Sequence, residues 1–94
     1  MKAKNKDLES CEINEKTKFI YAEAFYQCEN LSEITIPEGM LGISYHAFMY
    51  CDSLKSIDIP ASVTYIGDAA INYCKNLESI NVHADNTAYK SIDS

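Results

Sequence analysis

Arginine is absent from the 94 residues, and the basic complement is eight lysines set against 14 acidic side chains. A formal net charge of −6 argues against a nucleic-acid surface, which is built chiefly from clustered Lys and Arg on phosphates. The only basic run, Lys2, Lys4 and Lys6, reads as a short solvated tail. No stretch approaches the ~18 consecutive apolar residues of a membrane helix. The positive start is followed by the polar NKDLESCEIN, so the ~7–15 apolar residues of a signal peptide are missing. Three scattered glycines form no phosphate-cradling loop. Tetrahedral zinc sites are commonly introduced by CxxC or HxxxH pairs, and neither occurs. No metal, cofactor or catalytic residue is expected, and His46 and His83 read as surface histidines.

What the chain has is a period. Residues 24–37 (AFYQCENLSEITIP) return as 47–60 (AFMYCDSLKSIDIP) and again as 70–83 (AINYCKNLESINVH). A fixed repeat of 23 residues signals stacked structural units, each unable to bury its apolar face alone. Leu8, Leu31, Leu54 and Leu77 share one column, Cys11, Ile34, Ile57 and Ile80 the next, and Ile13, Ile36, Ile59 and Val82 the third. The LxxIxI pattern alternates apolar and polar residues, as a strand with one buried face does.

Four short strands are therefore expected. No tight turn separates them, so each returns by a crossover to lie parallel to its predecessor. Pro37 and Pro60 end their strands. Met40 and Val63 then point inward, and Ile20, Ile43 and Ile66 form a further column that reads as a second, very short strand. Ala24, Ala47 and Ala70 precede Phe25, Phe48 and Ile71, with Cys28, Cys51 and Cys74 three residues later. Phe and Cys at i and i+3 share one helix face, so EAFYQC predicts one or two helical turns behind the sheet.

The pattern IxxxAFxxCxxLxxIxIP resembles the BspA-type leucine-rich repeat, over about residues 8–82. The chain departs from it where Ile71 replaces Phe, where His83 replaces Pro, and where Gly67 alone supplies the glycine that usually follows the middle Ile. The resemblance implies an α/β solenoid, a right-handed leucine-rich repeat superhelix with a parallel sheet of about four short strands and short helices on its convex side. The expected organisation is a single domain: residues 1–18 as a partial first repeat and cap, 19–40, 41–63 and 64–82 as repeats, and 83–94 as an aperiodic segment. That ending fits an excerpt or the end of a longer array, with Tyr89 as an apolar plug over the last coil. The thinly capped amino edge is the expected place for self-association.

The periodic cysteines predict a ladder of buried thiols rather than a disulfide framework. Surface is what remains for function. Outward strand positions Glu12, Glu33, Thr35, Ser56, Asp58, Ser79 and Asn81, together with Tyr26, Tyr50 and Tyr73, are the candidate partner-binding residues. Tyrosine offers large contact area at low entropy cost, though stacked rings also serve simply to cover a convex side. The family resemblance implies a non-enzymatic, adhesive protein-interaction module of a bacterial surface or secreted protein, with a host or neighbouring-cell protein as partner. A structural spacer or cap, and a cysteine-based thiol sensor or metal binder, are the alternative readings.

Overall fold

The computed structural model describes residues 7–89, 92 and 93. Strands β1 (Ser10–Glu12), β3 (Glu33–Thr35), β5 (Ser56–Ile59) and β7 (Ser79–Val82) follow one another along one face of a solenoid. Strands β2 (Phe19–Ile20), β4 (Gly42–Ile43) and β6 (Tyr65–Ile66) form a second, narrower face. The β1-β3, β2-β4-β6 and β5-β7 pairings are all parallel. Their register, Cys11↔Ile34, Ile20↔Ile43↔Ile66 and Ile57↔Ile80, steps by the sequence period. Like residues therefore stand on like residues. The first face is two ladders, broken between β3 and β5, and it ends in an added strand, β8 (Ile92–Asp93), antiparallel to β7.

The expected convex helices are not there, and no helix forms among the described residues. Two positions per coil lie in the left-handed region instead: Glu23 and Gln27, His46 and Tyr50, Ala69 and Tyr73. This breaks the run of identical dihedrals that a helix requires. Backbone donors alternate in direction. The amides of Ala24, Tyr26 and Cys28 bond back three residues within their coil, to Tyr21, Glu23 and Phe25. Those of Glu23, Phe25 and Gln27 reach the carbonyls of Tyr45, Ala47 and Met49 in the next coil. The second coil repeats this, with His46, Phe48 and Tyr50 donating to Asp68, Ala70 and Asn72. A helix would spend every donor internally, whereas this ribbon gives half of them to its neighbour. Each left-handed non-glycine residue costs on the order of 1–3 kcal/mol, and each hydrogen bond returns a net ~0.5–1.5 kcal/mol. Three such bonds against two such residues leave the ribbon near balance. Core burial must then stabilise the fold.

That core is one continuous column. Phe25 and Phe48 are fully buried and stack with centroids 5.1 Å apart and planes 3° from parallel. Ile20, Leu31, Met40, Ile43, Leu54 and Val63 are equally inaccessible. The polar residues that lead into β5 and β7 are tied down as well: Ser53 Oγ donates to Glu29 O at 2.6 Å, and Asn76 Nδ2 to Asp52 O at 2.7 Å. At the amino edge, β1 pairs with β3 alone, yet Ile13 and Phe25 behind it are buried. Burial thins at the other end, where Ile66, Ile71, Leu77, Ile80 and Val82 are only partly covered.

The cysteine ladder is core at two of its three rungs. Cys28 and Cys51 are fully buried, whereas Cys74, on the last coil, is half-buried. None of the four cysteines is in a disulfide. The Cys51 thiol donates to Phe25 O at 3.1 Å and Cys74 to Phe48 O at 2.9 Å. Hydrogen bonding with Cys74, then burial, pushes the Cys51 thiol far above the usual range. The same pairing pulls Cys74 down, because the Cys51 S–H can turn onto its sulfur when that ionises. In β1, burial pushes the Cys11 thiol up.

Three expected outcomes test this packing. Phe48→Ala removes the ring held between coils and should cost near the upper part of ~3–5 kcal/mol, read as lost denaturant resistance; an unchanged midpoint would misplace the core. At Gly67 an added Cβ would lie 2.6 Å from Tyr45 N and 3.0 Å from Ser44 C. Backbone cannot yield there, so Gly67→Ala should cost ~1–3 kcal/mol and lower Tm by about 4 °C or more. Gly42→Ala meets only side-chain rings, Phe19 at 3.1 Å and Tyr65 at 3.6 Å, and should cost less; the reverse order of melting temperatures would refute the close approach of coils. With a thiol reagent, Cys74 should label in the folded protein, while Cys28 and Cys51 wait for unfolding. Native labelling of Cys51 as fast as Cys74 contradicts the ladder.

Candidate protein-recognition surfaces

Strand alternation turns two columns outward on the first face. One runs Ser10, Glu33, Ser56, Ser79 and the other Glu12, Thr35, Asp58, Asn81. All are exposed except Ser79, which is half-buried beside β8. Asn81 Nδ2 donates to Asp58 Oδ1 at 3.0 Å, one rung apart. Glu12, Glu33 and Asp58 have no ion-pair partner among the described residues, where the ion pairs are His46 with Glu23 at 4.0 Å and His83 with Asp85 at 3.9 Å. At the proline end of these strands lies an open depression of about 320 Å³, with Glu38, Asp58, Asn81 and His83 around Ile36 and Pro60. The face is thus a short acidic strip with one shallow hollow.

The three candidate tyrosines form an array on the convex ribbon, on a different segment of each coil. Tyr26 meets Tyr50 edge-on at 5.7 Å, and Tyr50 stacks on Tyr73 at 5.5 Å with planes 19° apart. Exposure rises along the array, from half-buried Tyr26 to 37% at Tyr50 and 65% at Tyr73. Two of the three rings spend a face on a neighbour. Tyr50 and Tyr73 also hold left-handed backbone, with φ of 64° and 60°.

A third group escaped the sequence reading. Phe19, Tyr21 and Tyr65 are more than half exposed, with Tyr45 at 50% and Leu41 at 40%. Phe19 and Tyr65 flank Gly42 across β2-β4-β6, and both rings lean over it: a Cβ there would lie 3.1 Å and 3.6 Å from them. Sheet glycine is covered in this way by neighbouring aromatics. The signal was the alternation Phe19, Ile20, Tyr21 around a buried Ile, whose outward members a two-residue strand hardly advertises. His46 touches Tyr45 edge-on at 5.0 Å. No metal-ligating cluster occurs among the described residues. No helix there is long and apolar enough to cross a membrane.

Comparison with known proteins agrees with this architecture. The crystal structure of the pneumococcal vaccine antigen PcpA superimposes with a TM-score of 0.86 at 24% identity, over 92% of this chain and 22% of that one. The Treponema pallidum leucine-rich repeat protein TpLRR superimposes with a TM-score of 0.59 at 25% identity, over 77% of this chain and 44% of that one. The chain therefore spans about a fifth of the length of the first protein and under half of the second. No curated protein sequence matches it. The BspA type leucine-rich repeat region matches in 6 copies across residues 3–93. The repeat solenoid with its parallel sheets, read together with that match, places the chain in the BspA-type leucine-rich repeat family.

Proposed function

We propose that the chain is a non-enzymatic recognition module that attaches to a basic protein surface through the acidic face of β1, β3, β5 and β7. The observation that carries this reading is the uncompensated row Glu12, Glu33 and Asp58, exposed on rigid strands and free of ion-pair partners among the described residues. Carboxylates fixed on a sheet need little reordering on binding, and a single-sign face speeds encounter with an opposite one. Thr35, Ser56, Ser79 and Asn81 offer hydrogen bonds between them. The tyrosine array at Tyr26, Tyr50 and Tyr73 is assigned mainly to covering the convex ribbon, because its rings stack on each other.

Adhesion at a bacterial surface is the setting we infer, and membership of a family of repeat interaction modules supports it. One structural neighbour is a pneumococcal vaccine antigen, which fits a surface setting for that protein. A thiol sensor is the weaker reading. Its best group, Cys74, is half-buried and has its thiolate favoured by the Cys51 S–H, but the neighbouring thiols of Cys28 and Cys51 are fully buried, out of reach of an oxidant.

The test is binding of fluorescently labelled protein to an epithelial cell monolayer and to lysozyme-coated beads, the latter a defined basic protein surface. The neutralised variant Glu12→Gln, Glu33→Gln, Asp58→Asn should keep its melting temperature, since exposed substitutions usually stay within about ±0.5 kcal/mol. Its binding should fall severalfold, and wild-type binding should weaken as salt rises and the Debye length shrinks. Binding that is insensitive to both the triple substitution and salt, but lost in Tyr50→Ala, Tyr73→Ala, would move the site to the convex ribbon.

A further inference from the structure

The first face is split in the body of the stack. β1 pairs with β3 and β5 with β7, but β3 and β5 form no ladder, although the same two coils stay paired through β4 and β6. At the neighbouring junctions the amides that lead into a strand cross to the coil before: Ser32 and Glu33 donate to Glu9 O, and Glu78 and Ser79 to Lys55 O. Their counterparts at the split, Lys55 and Ser56, have no backbone acceptor among the described residues. At the far end of the strands Ile13 donates to Thr35 O, whereas the matching amide of Ile36 is again unpaired. Paired strands stand on both sides of the gap, so neither end of the chain produces it. Backbone groups left open in this way are rare, because each costs a desolvation penalty unless water or a ligand meets it.

The gap runs into the hollow of about 320 Å³ at the proline end of the strands. Ile36 and Asp58 wall the hollow from the two sides of the gap, and Ile59, Pro60 and Val82 give it an apolar floor. Two carboxylates stand over that floor. Asn81 Nδ2 holds Asp58 Oδ1 at 3.0 Å, which fixes this carboxylate and leaves its Oδ2 for a ligand. Glu38 is exposed and has no ion-pair partner among the described residues. His83 Nδ1 is occupied by the Asp85 amide at 3.0 Å, and no lysine lines the hollow. Negative charge over an apolar floor is complementary to a cation carried on an apolar stem. The volume lies at the lower end of the ~300–1,000 Å³ of small-ligand sites, with room for one side chain and too little for a strand or helix.

We infer that the hollow is an arginine anchor: it takes one arginine side chain of a protein partner, with the methylenes over Ile36, Ile59 and Pro60 and the guanidinium on the carboxylates of Glu38 and Asp58. This rests on the reading of the acidic face as the attachment surface and names the group that the face grips. Arginine suits the hollow better than lysine because its planar fork reaches several acceptors at once, here Asp58 Oδ2, the Glu38 carboxylate and Asn81 Oδ1, and because it is less strongly hydrated. Its main-chain carbonyl is the acceptor that the Ile36 amide lacks. These 94 residues contain no arginine, so a second copy of them cannot be the occupant.

The probe is the capped tripeptide acetyl-Gly-Arg-Gly-amide, titrated into the whole chain beside its lysine and citrulline analogues and followed by amide NMR and hydrogen exchange. One anchored side chain should bind at about 1 mM, shifting Ile36, Asp58, Asn81 and His83 and slowing exchange at Ile36. The lysine peptide should bind at least about threefold more weakly, and the citrulline peptide, alike in shape but uncharged, should give no saturable shift. Glu38→Gln should weaken arginine binding about fivefold, the upper reach of one exposed ion pair. Glu15→Gln, the same change in the same column one coil earlier, should leave it as it is. Equal affinity for all three peptides, shifts confined to other strands, or no response at ~10 mM peptide would overturn the anchor. Salt-sensitive binding to lysozyme-coated beads by a chain that ignores the arginine peptide removes the anchor and keeps the acidic face. Saturable arginine binding by a chain that ignores the beads keeps the anchor and removes the acidic face.

Discussion

The structure depends on the backbone pairing of each coil with the next in a register of one repeat. Once Cys11 is opposite Ile34 and Ile20 opposite Ile43, every other column must stack like on like. Apolar columns then form the core and polar columns the surface without further choice. The pairing includes the convex ribbon, whose alternate amides cross to the next coil. That explains the left-handed backbone at Glu23, Gln27 and Tyr50, residues with no intrinsic preference for it. Their strain is offset by donors turned outward, and it recurs because the pairing recurs. Stability in such a stack comes from neighbour interfaces rather than from any one coil.

The same reasoning shows what could be read from the residues alone. Core columns, parallel strands and the short second strand at Ile20, Ile43 and Ile66 follow from periodicity, since identical positions in identical units must share an environment. The convex helix did not follow. Phe25 and Cys28 at i and i+3 fit a helical turn, but they fit equally a ribbon of three-residue back-bonds in which alternate donors leave. Only the dihedrals of Glu23 and Gln27 separate the two, and neither residue type signals positive φ. The exposed candidates Glu12, Glu33 and Asp58 were legible from strand alternation. The aromatic patch around Gly42 was not, because its strands are two residues long. Strand β8 lay outside the period and had no column to announce it.

The two ends of the stack contrast for a related reason. At the amino end Phe25, Ile20 and Leu31 are as inaccessible as their counterparts one coil on. At the carboxyl end the chain solves the capping problem by specific polar contacts. Asn86, standing in the column of Met40 and Val63, exchanges an apolar side chain for an amide that binds two carbonyls of the previous turn. Tyr89, in the Ile66 column, places its hydroxyl where a strand partner would otherwise accept the Ile66 amide. Both substitutions end the ladder while keeping its hydrogen bonds, which is why the repeat fails at these columns.

Ending a ladder on one face does not end it on all of them. The strand faces can be closed by β8 and by single side chains because they are narrow and their donors alternate in direction. On the convex ribbon the donors that cross between coils, Glu23, Phe25 and Gln27 and then His46, Phe48 and Tyr50, all face the same way, so meeting them takes a backbone with acceptors at alternate residues. A side chain supplies one acceptor group, and three in a row at strand spacing exceed what Asn86 or Tyr89 can reach. On this ribbon the inner repeats satisfy each other and are free to present a passive surface. The half-buried thiol of Cys74 and the partly covered Ile71 and Leu77 gather where the period stops. In a protein built by repetition, the side chains that can still make new contacts are therefore concentrated where the column pattern is broken.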